Sequence, residues 1–133
     1  MLSSSDTDNV IAALGRSNRV HQVSFWQLAG RQLQKVLGPM QVSFPKLRHL
    51  YFISHDTTPP TIPDSFLSGS APRLRILQLN FIIFPGLPKL LLSATQLTYL
   101  HLVDIPHAGY ISPESMVALL SMLSNLETLT LDF

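Results

Sequence analysis

Large apolar residues recur along the chain in a six-residue phrase whose first, fourth and sixth positions are Leu, Val or Phe. Successive side chains of a β-strand point to opposite faces, so the fourth and sixth positions point the same way, into a core. The phrase therefore predicts a short strand wherever it occurs. It occurs five times, at residues 20–25, 47–52, 74–79, 97–102 and 126–131.

Between the phrases the apolar spacing becomes helical. Ser112, Pro113 and Glu114 predict the N-cap, the first residue and a first-turn acid of a helix that runs to Leu123. Three further helices are predicted less completely, because each has fewer apolar positions. They cover residues 28–37, which end at a Gly-Pro stop signal, a short stretch of 62–69, and residues 89–94, which are entered through Pro85 and Pro88.

The phrases begin at residues 20, 47, 74, 97 and 126, and spacings of this size are typical of leucine-rich repeats. The predicted fold is α/β: a leucine-rich-repeat solenoid of about five parallel strands on the concave side, with helices on the convex side. We predict an N-terminal capping helix in 1–18 and degenerate repeats in 19–133. The buried Asn or Cys that usually follows each strand is missing, because those positions hold Leu28, His55, Ile82 and Ile105.

The last phrase has no helix after it, which predicts that the repeat region is truncated at its C-terminus. Repeats in a solenoid bury one another's apolar flanks, and terminal repeats need a polar cap. Leu126, Leu129, Leu131 and Phe133 would leave one flank open. We therefore expect self-association through this last strand.

Side chains that alternate with the buried positions are expected on the concave face, where a protein partner could bind. This strip is rich in aromatic and imidazole groups, which are common at binding hot spots. The candidate partner-binding residues are Trp26, His49, Tyr51, Ile76, Gln78, Tyr99 and His101.

The charged residues are unevenly distributed. All nine Lys and Arg residues lie at or before Lys89, and four of the eight acids lie after it. Arg48 and Arg75 occupy the same repeat position on neighbouring predicted strands. They are expected either to hold one acidic group together or to act only as solvated flanks that favour solubility.

Composition and motifs argue against catalysis and against cofactors. Cysteine is absent, the six glycines are isolated, and neither a nucleophile elbow nor a paired-histidine metal motif occurs. The net charge of +1 does not predict a nucleic-acid partner. We expect no catalytic residues, no metal site and no cofactor, and the protein is predicted not to be an enzyme.

Nothing in the sequence predicts export or a membrane partner. The first eight residues lack the basic and apolar regions of a signal peptide. The most apolar segment, 76–94, is interrupted by Asn80, Pro85, Pro88 and Lys89. The expected location is the cytoplasm or the nucleus.

Residues 104–123 and 124–129, together with 71–75 and 84–94, resemble fungal F-box proteins with degenerate leucine-rich repeats. The resemblance extends over residues 10–133, and its most specific part is Ile-Pro-His-Ala-Gly-Tyr-Ile-Ser-Pro-Glu at 105–114. In that family an F-box binds a ubiquitin-ligase scaffold, and the repeats bind the client. No F-box motif precedes the repeats here, so a scaffold partner is implied only if an F-box is supplied elsewhere.

Two hypotheses about function follow from the sequence. The first is a non-catalytic protein-recognition module, the client-binding repeat region of an F-box-like ubiquitin-ligase adaptor. The alternative is an incomplete leucine-rich-repeat fragment with no independent function. Solution behaviour separates them, since a module should fold cooperatively as a single species and a fragment should aggregate.

Overall fold

The computed structural model describes residues 11–28, 30–54, 57–106 and 111–132. Five parallel strands form a single sheet in which the spatial order follows the sequence order. Each strand lies on one copy of the apolar phrase, so the predicted parallel strands are confirmed. They are β1 (Gln22–Leu28), β2 (His49–Ser54), β3 (Ile76–Asn80), β4 (Tyr99–Val103) and β5 (Thr128–Leu131).

Three α-helices connect strands of the sheet: α1 (Gly30–Leu37), α2 (Leu87–Ser93) and α3 (Pro113–Met122). All three lie where the sequence predicts helices. A 3-10 turn, Gly38–Met40, extends α1 beyond its predicted stop, since Pro39 is tolerated in the first turn of such a helix. Residues 11–14 are also helical, and the rest of the predicted capping helix that precedes them lies outside the described residues.

The connection between β2 and β3 differs from the prediction. The stretch 62–69 has no α-helix but a 3-10 turn, Phe66–Gly69, in which Leu67 and Ser68 both have a left-handed φ of 55°. Gly69 follows with a φ of 72°, a conformation that favours glycine. Ile62, Phe66 and Leu67 are each fully buried, so core packing holds a backbone that helix propensity would not select.

Ser112 caps α3 as its sequence predicts. The Ser115 backbone N–H donates a hydrogen bond of 3.2 Å to the Ser112 hydroxyl oxygen, and Pro113 occupies the first turn, where its missing N–H costs nothing. This cap explains why the helix begins at residue 113.

Replacing Ser112 by Ala is expected to lower the free energy of unfolding by about 1 kcal/mol, the usual cost of losing an N-cap. Denaturation in urea would measure the change. Ser124→Ala is the matched control, because Ser124 is exposed and lies in the turn before β5. A Ser112→Ala variant as stable as Ser124→Ala would show that the cap contributes nothing.

The core lies on one face of the sheet. On that face the central strands contribute side chains that are at most 1% exposed, and the buried residues of the three helices belong to the same hydrophobic cluster. The helices therefore pack against this face, which we call the core face. Its central strand residues are Leu50, Phe52, Leu77, Leu79, Leu100 and Leu102.

Four phenylalanine rings connect the first strands to the connections that cover them. Phe25 stacks on Phe52 with ring centroids 5.5 Å apart, and Phe52 contacts Phe66 at 5.8 Å. Phe66 meets the edge of Phe84 at 5.6 Å. This chain of rings ties the irregular connection between β2 and β3 to the sheet.

Two of the positions at which the predicted repeat pattern would place a buried Asn or Cys carry buried isoleucines. Ile82 and Ile105 are 1% and 8% exposed and join the hydrophobic cluster. The side chain of Leu28 and all of His55 lie outside the described residues. Positions 82 and 105 are thus part of the apolar core.

The core face of β5 is more exposed than that of the other strands. Leu129 and Leu131 are 39% and 36% exposed, whereas the paired residues Leu100 and Leu102 on β4 are almost completely buried. Phe133 lies outside the described residues. The described part of β5 therefore carries an uncovered apolar flank.

Candidate functional site

The face of the sheet that points away from the core, here the outer face, carries the predicted binding residues. Parallel pairing aligns its side chains in rows across all five strands. The first row is Gln22, His49, Ile76, Tyr99 and Thr128, and the second is Ser24, Tyr51, Gln78, His101 and Thr130. Six of the seven predicted residues thus lie in two adjacent rows.

A third row differs from what the sequence predicts. Ile53 occupies an outward position of β2 but is only 7% exposed, so it offers almost no binding surface. Trp26 is paired with Ile53 through the backbone, and its side chain lies outside the described part of the structure. Asn80 and Val103, which continue this row on β3 and β4, are half-buried. The predicted binding residues whose side chains are described therefore all lie in the first two rows.

Aromatic and imidazole rings on the outer face pack along their strands. Tyr99 and His101 stack with centroids 4.1 Å apart and planes 11° apart. His49 and Tyr51 meet edge to face at 6.4 Å. Each pair joins the two rows, because alternate residues of a strand lie on the same face.

Hydrogen bonds orient the polar groups at the β1–β2 end of the rows. Gln22 Nε2 donates to the Ser24 hydroxyl at 3.0 Å, which leaves Gln22 Oε1 facing His49 Nδ1 at 3.3 Å. An amide oxygen only accepts, so this contact is a hydrogen bond in the tautomer that carries the His49 proton on Nδ1. In neutral His49 the other nitrogen, Nε2, is then a hydrogen-bond acceptor.

Polar contacts also hold the β3–β5 end. Gln78 Nε2 donates to Asn80 Oδ1 at 3.2 Å, and Thr130 Oγ1 lies 3.4 Å from His101 Nε2. The second of these contacts bridges β4 and β5. The outer face is therefore ordered by its own side-chain contacts before any partner arrives, which reduces the entropy that binding must offset.

The predicted binding residues in the two rows are partly accessible to solvent. Tyr99 is 36% exposed, and His49, Tyr51, Ile76, Gln78 and His101 are half-buried.

Within the described ranges, no group of three or more His, Asp or Glu side chains is placed to hold a metal ion. Every buried side-chain nitrogen and oxygen atom in the same ranges has a hydrogen-bond partner. No helix of the described chain is long and apolar enough to cross a bilayer.

The hydrogen-bonding residues that order the outer face were not among the predicted binding residues. Gln22, Ser24, Asn80 and Thr130 contact the predicted rings and amides directly or lie next to them. The sequence could have indicated these residues, because each alternates with the large apolar positions of its strand. The contacts of Gln22 with His49 and of Thr130 with His101 depend on register between strands, because these partners are 27 and 29 residues apart in sequence. The Gln22–Ser24 and Gln78–Asn80 contacts lie within one strand.

No protein-family model matches the chain, and comparisons with curated proteins and with solved structures give no significant match.

Proposed function

We propose that the protein is a non-catalytic protein-recognition module, built as a leucine-rich-repeat solenoid whose outer face is the concave binding surface. One observation carries the proposal: two in-register rows place Tyr, His and amide side chains side by side across the sheet. Tyrosine is enriched at binding hot spots, and its ring provides contact area at a low entropic cost.

The size of the outer face limits its affinity. Strands about 4.8 Å apart and five residues long make a five-stranded face of roughly 19 Å by 17 Å, on the order of 300–400 Å². A standard interface buries about 800 Å² on each partner. A protein client that contacts only this face is therefore expected to bind weakly, and tight binding requires neighbouring surfaces.

The proposed setting follows the resemblance to F-box proteins with degenerate leucine-rich repeats. In that setting the chain is the client-binding half of a ubiquitin-ligase adaptor in the cytoplasm or nucleus. A ligase scaffold would join the complex only through an F-box supplied elsewhere. Neither nucleic acid nor a membrane is proposed as a partner.

Replacing Tyr51 and Tyr99 together by Ala is expected to reduce recovery of the bound client at least about tenfold, since aromatic hot spots contribute 2 kcal/mol or more. Affinity capture with quantitative mass spectrometry would compare this double variant with the unaltered chain. A client or ligase component recovered with the unaltered chain but lost with the variant supports the proposal.

Leu92→Ala with Val117→Ala is the control, because both residues are large, apolar and exposed on helices that pack on the core face. The control pair should leave recovery unchanged. Equal recovery with the Tyr51→Ala/Tyr99→Ala variant and with the unaltered chain would remove the outer face as the binding surface.

The exposed leucines of β5 favour the second candidate, a repeat fragment without an independent function. Under that alternative the chain self-associates and captures no client that depends on Tyr51 and Tyr99. Sedimentation and capture on the same preparation distinguish the two candidates.

A further inference from the structure

A row of basic side chains lies at the edge of the sheet where the strands begin. Lys46 and Arg48 flank the buried Leu47, and Arg73 and Arg75 flank the buried Leu74 in the same way. The four bases of the two pairs are all exposed: Lys46 and Arg73 lie in turns, and Arg48 and Arg75 directly precede β2 and β3. With Arg19, which precedes Val20 as Lys46 precedes Leu47, they form a surface that we call the basic rim.

The backbone fixes the spacing of the basic rim. The Leu47 and Leu74 backbone N–H groups close matching turns, each at 3.1 Å from a carbonyl three residues earlier. The Arg75 N–H then donates to the Arg48 carbonyl oxygen at 2.8 Å, which sets these two residues side by side. Neighbouring strands are about 4.8 Å apart, so the two guanidinium groups can reach one carboxylate or two adjacent ones.

No residue in the described part of the chain neutralises the rim cations. All five side chains are exposed. None of them makes an ion pair or a side-chain hydrogen bond to another described residue. The five positive charges therefore face solvent over three adjacent strands, and this is a stronger concentration of charge than the net charge of +1 suggests.

The rim ends sharply at β4. At the position of Arg48 and Arg75, the next two strands carry Thr98 and Glu127. Arg75 and Glu127 lie at a polar depression of about 350 Å³ that also includes Thr98. The attractive region thus spans two strand spacings, about 10 Å, and a carboxylate stands beyond it.

We propose that the basic rim binds a short acidic peptide segment of a partner protein. A width of about 10 Å faces roughly three phosphates of a nucleic-acid strand, whereas nucleic-acid binders with strong electrostatic affinity contact about 6–10 phosphates. A longer polyanion crossing the sheet would also meet Glu127. Two or three carboxylates of an extended peptide fit the basic strands and stop before that charge.

This inference goes beyond the proposed function, because the rim lies outside the two rows of the outer face. The two surfaces are adjacent, since His49 and Ile76 of the first row directly follow Arg48 and Arg75. A partner that uses both surfaces buries more area than the outer face alone provides.

Fluorescence anisotropy with a fluorescein-labelled hexaglutamate peptide tests the proposal at about 50 mM salt, where exposed charges are weakly screened. The unaltered chain should bind the peptide, and Arg48→Gln/Arg75→Gln should weaken binding about tenfold by removing two charge-assisted contacts. Raising the salt to about 200 mM should weaken binding further.

Two control variants make the result specific. Arg31→Gln/Lys35→Gln removes the same charge from exposed positions of α1 and should change the affinity less than twofold. Tyr51→Ala/Tyr99→Ala, which tests the outer face, should leave hexaglutamate binding unchanged. Peptide binding that persists while client capture fails would reject the proposed function and keep the basic rim.

Three outcomes would overturn the inference: no binding of hexaglutamate, an equal loss in the Arg31→Gln/Lys35→Gln control, or tighter binding of a twelve-residue oligothymidine than of the peptide. The last outcome would identify the rim as a nucleic-acid site.

Discussion

Replacing Phe52 by Ala is expected to lower the free energy of unfolding by about 3–5 kcal/mol, the usual cost of removing a buried phenylalanine ring. Phe52 is fully buried and touches the rings of both Phe25 and Phe66. Since typical domains are stable by about 5–15 kcal/mol, the melting temperature should fall by on the order of 10 °C or more. Urea denaturation and calorimetry would measure both quantities.

Two further variants keep this prediction testable even if Phe52→Ala does not fold. Phe52→Leu keeps an apolar side chain at the site, so its destabilisation should be clearly smaller. Leu92→Ala removes apolar atoms from a residue that is 52% exposed and should change stability by no more than about 0.5 kcal/mol. A cooperative Phe52→Ala protein that loses less than Phe52→Leu would contradict the ring contacts described here.

Replacing Leu129 and Leu131 together by Lys is expected to abolish self-association at high micromolar concentration. Both leucines are more than one-third exposed on the core face of β5, which is the last strand in the sheet order. Covering two half-exposed leucines on each chain is worth about 1.5–3 kcal/mol, so the variant should dissociate at least about tenfold more readily. Lysines on an edge strand also oppose pairing with another strand. Analytical ultracentrifugation would follow the average mass against concentration.

Val117→Lys/Met122→Lys is the matched control for this experiment. Both residues lie on α3 and are more exposed than the two leucines, at 68% and 60%. The control should associate as the unaltered chain does, because it changes the charge equally but leaves β5 intact. A monomeric unaltered chain, or the same loss of association in the control, would show that β5 is not the contact.

Client binding, acidic-peptide binding and self-association are assigned to different surfaces of the chain. Aromatic contact on the outer face and charge on the basic rim involve different residues, and each has its own variant pair. Self-association through β5 lies at a third place, on the core side. The backbone joins the outer face to the basic rim, because the Tyr99 N–H donates to the Arg75 carbonyl oxygen at 3.1 Å.

Much of the outer face was predictable from sequence, because it follows directly from the strands. Alternation places His49, Tyr51, Gln78 and His101 opposite the buried positions, and the structure brings them together in adjacent rows. The stacking of Tyr99 on His101 was not predictable. Ring orientation depends on rotamers, and these are selected by packing against neighbours that the sequence pattern does not specify.

The basic rim was visible in the sequence only in part. Arg48 and Arg75 repeat at an identical position of the phrase, which suggests a joint role. Arg19, Lys46 and Arg73 repeat with the same period, but their common exposure becomes evident only in the structure. The position of Glu127 beyond the basic strands likewise depends on the order of the strands in the sheet.

The sequence by itself determined the five parallel strands, the helix that begins after Ser112 and the division between a core face and an outer face. The strands and the two faces follow from an apolar periodicity that recurs in all five phrases. The start of the helix follows from its local capping residues. Tertiary structure alone decided that residues 62–69 turn through left-handed backbone instead of forming a helix, and that Ile53 is buried on the outer side. At residues 62–69 core packing overrides local preference, because burying Phe66 and Leu67 offsets the strain of two left-handed residues.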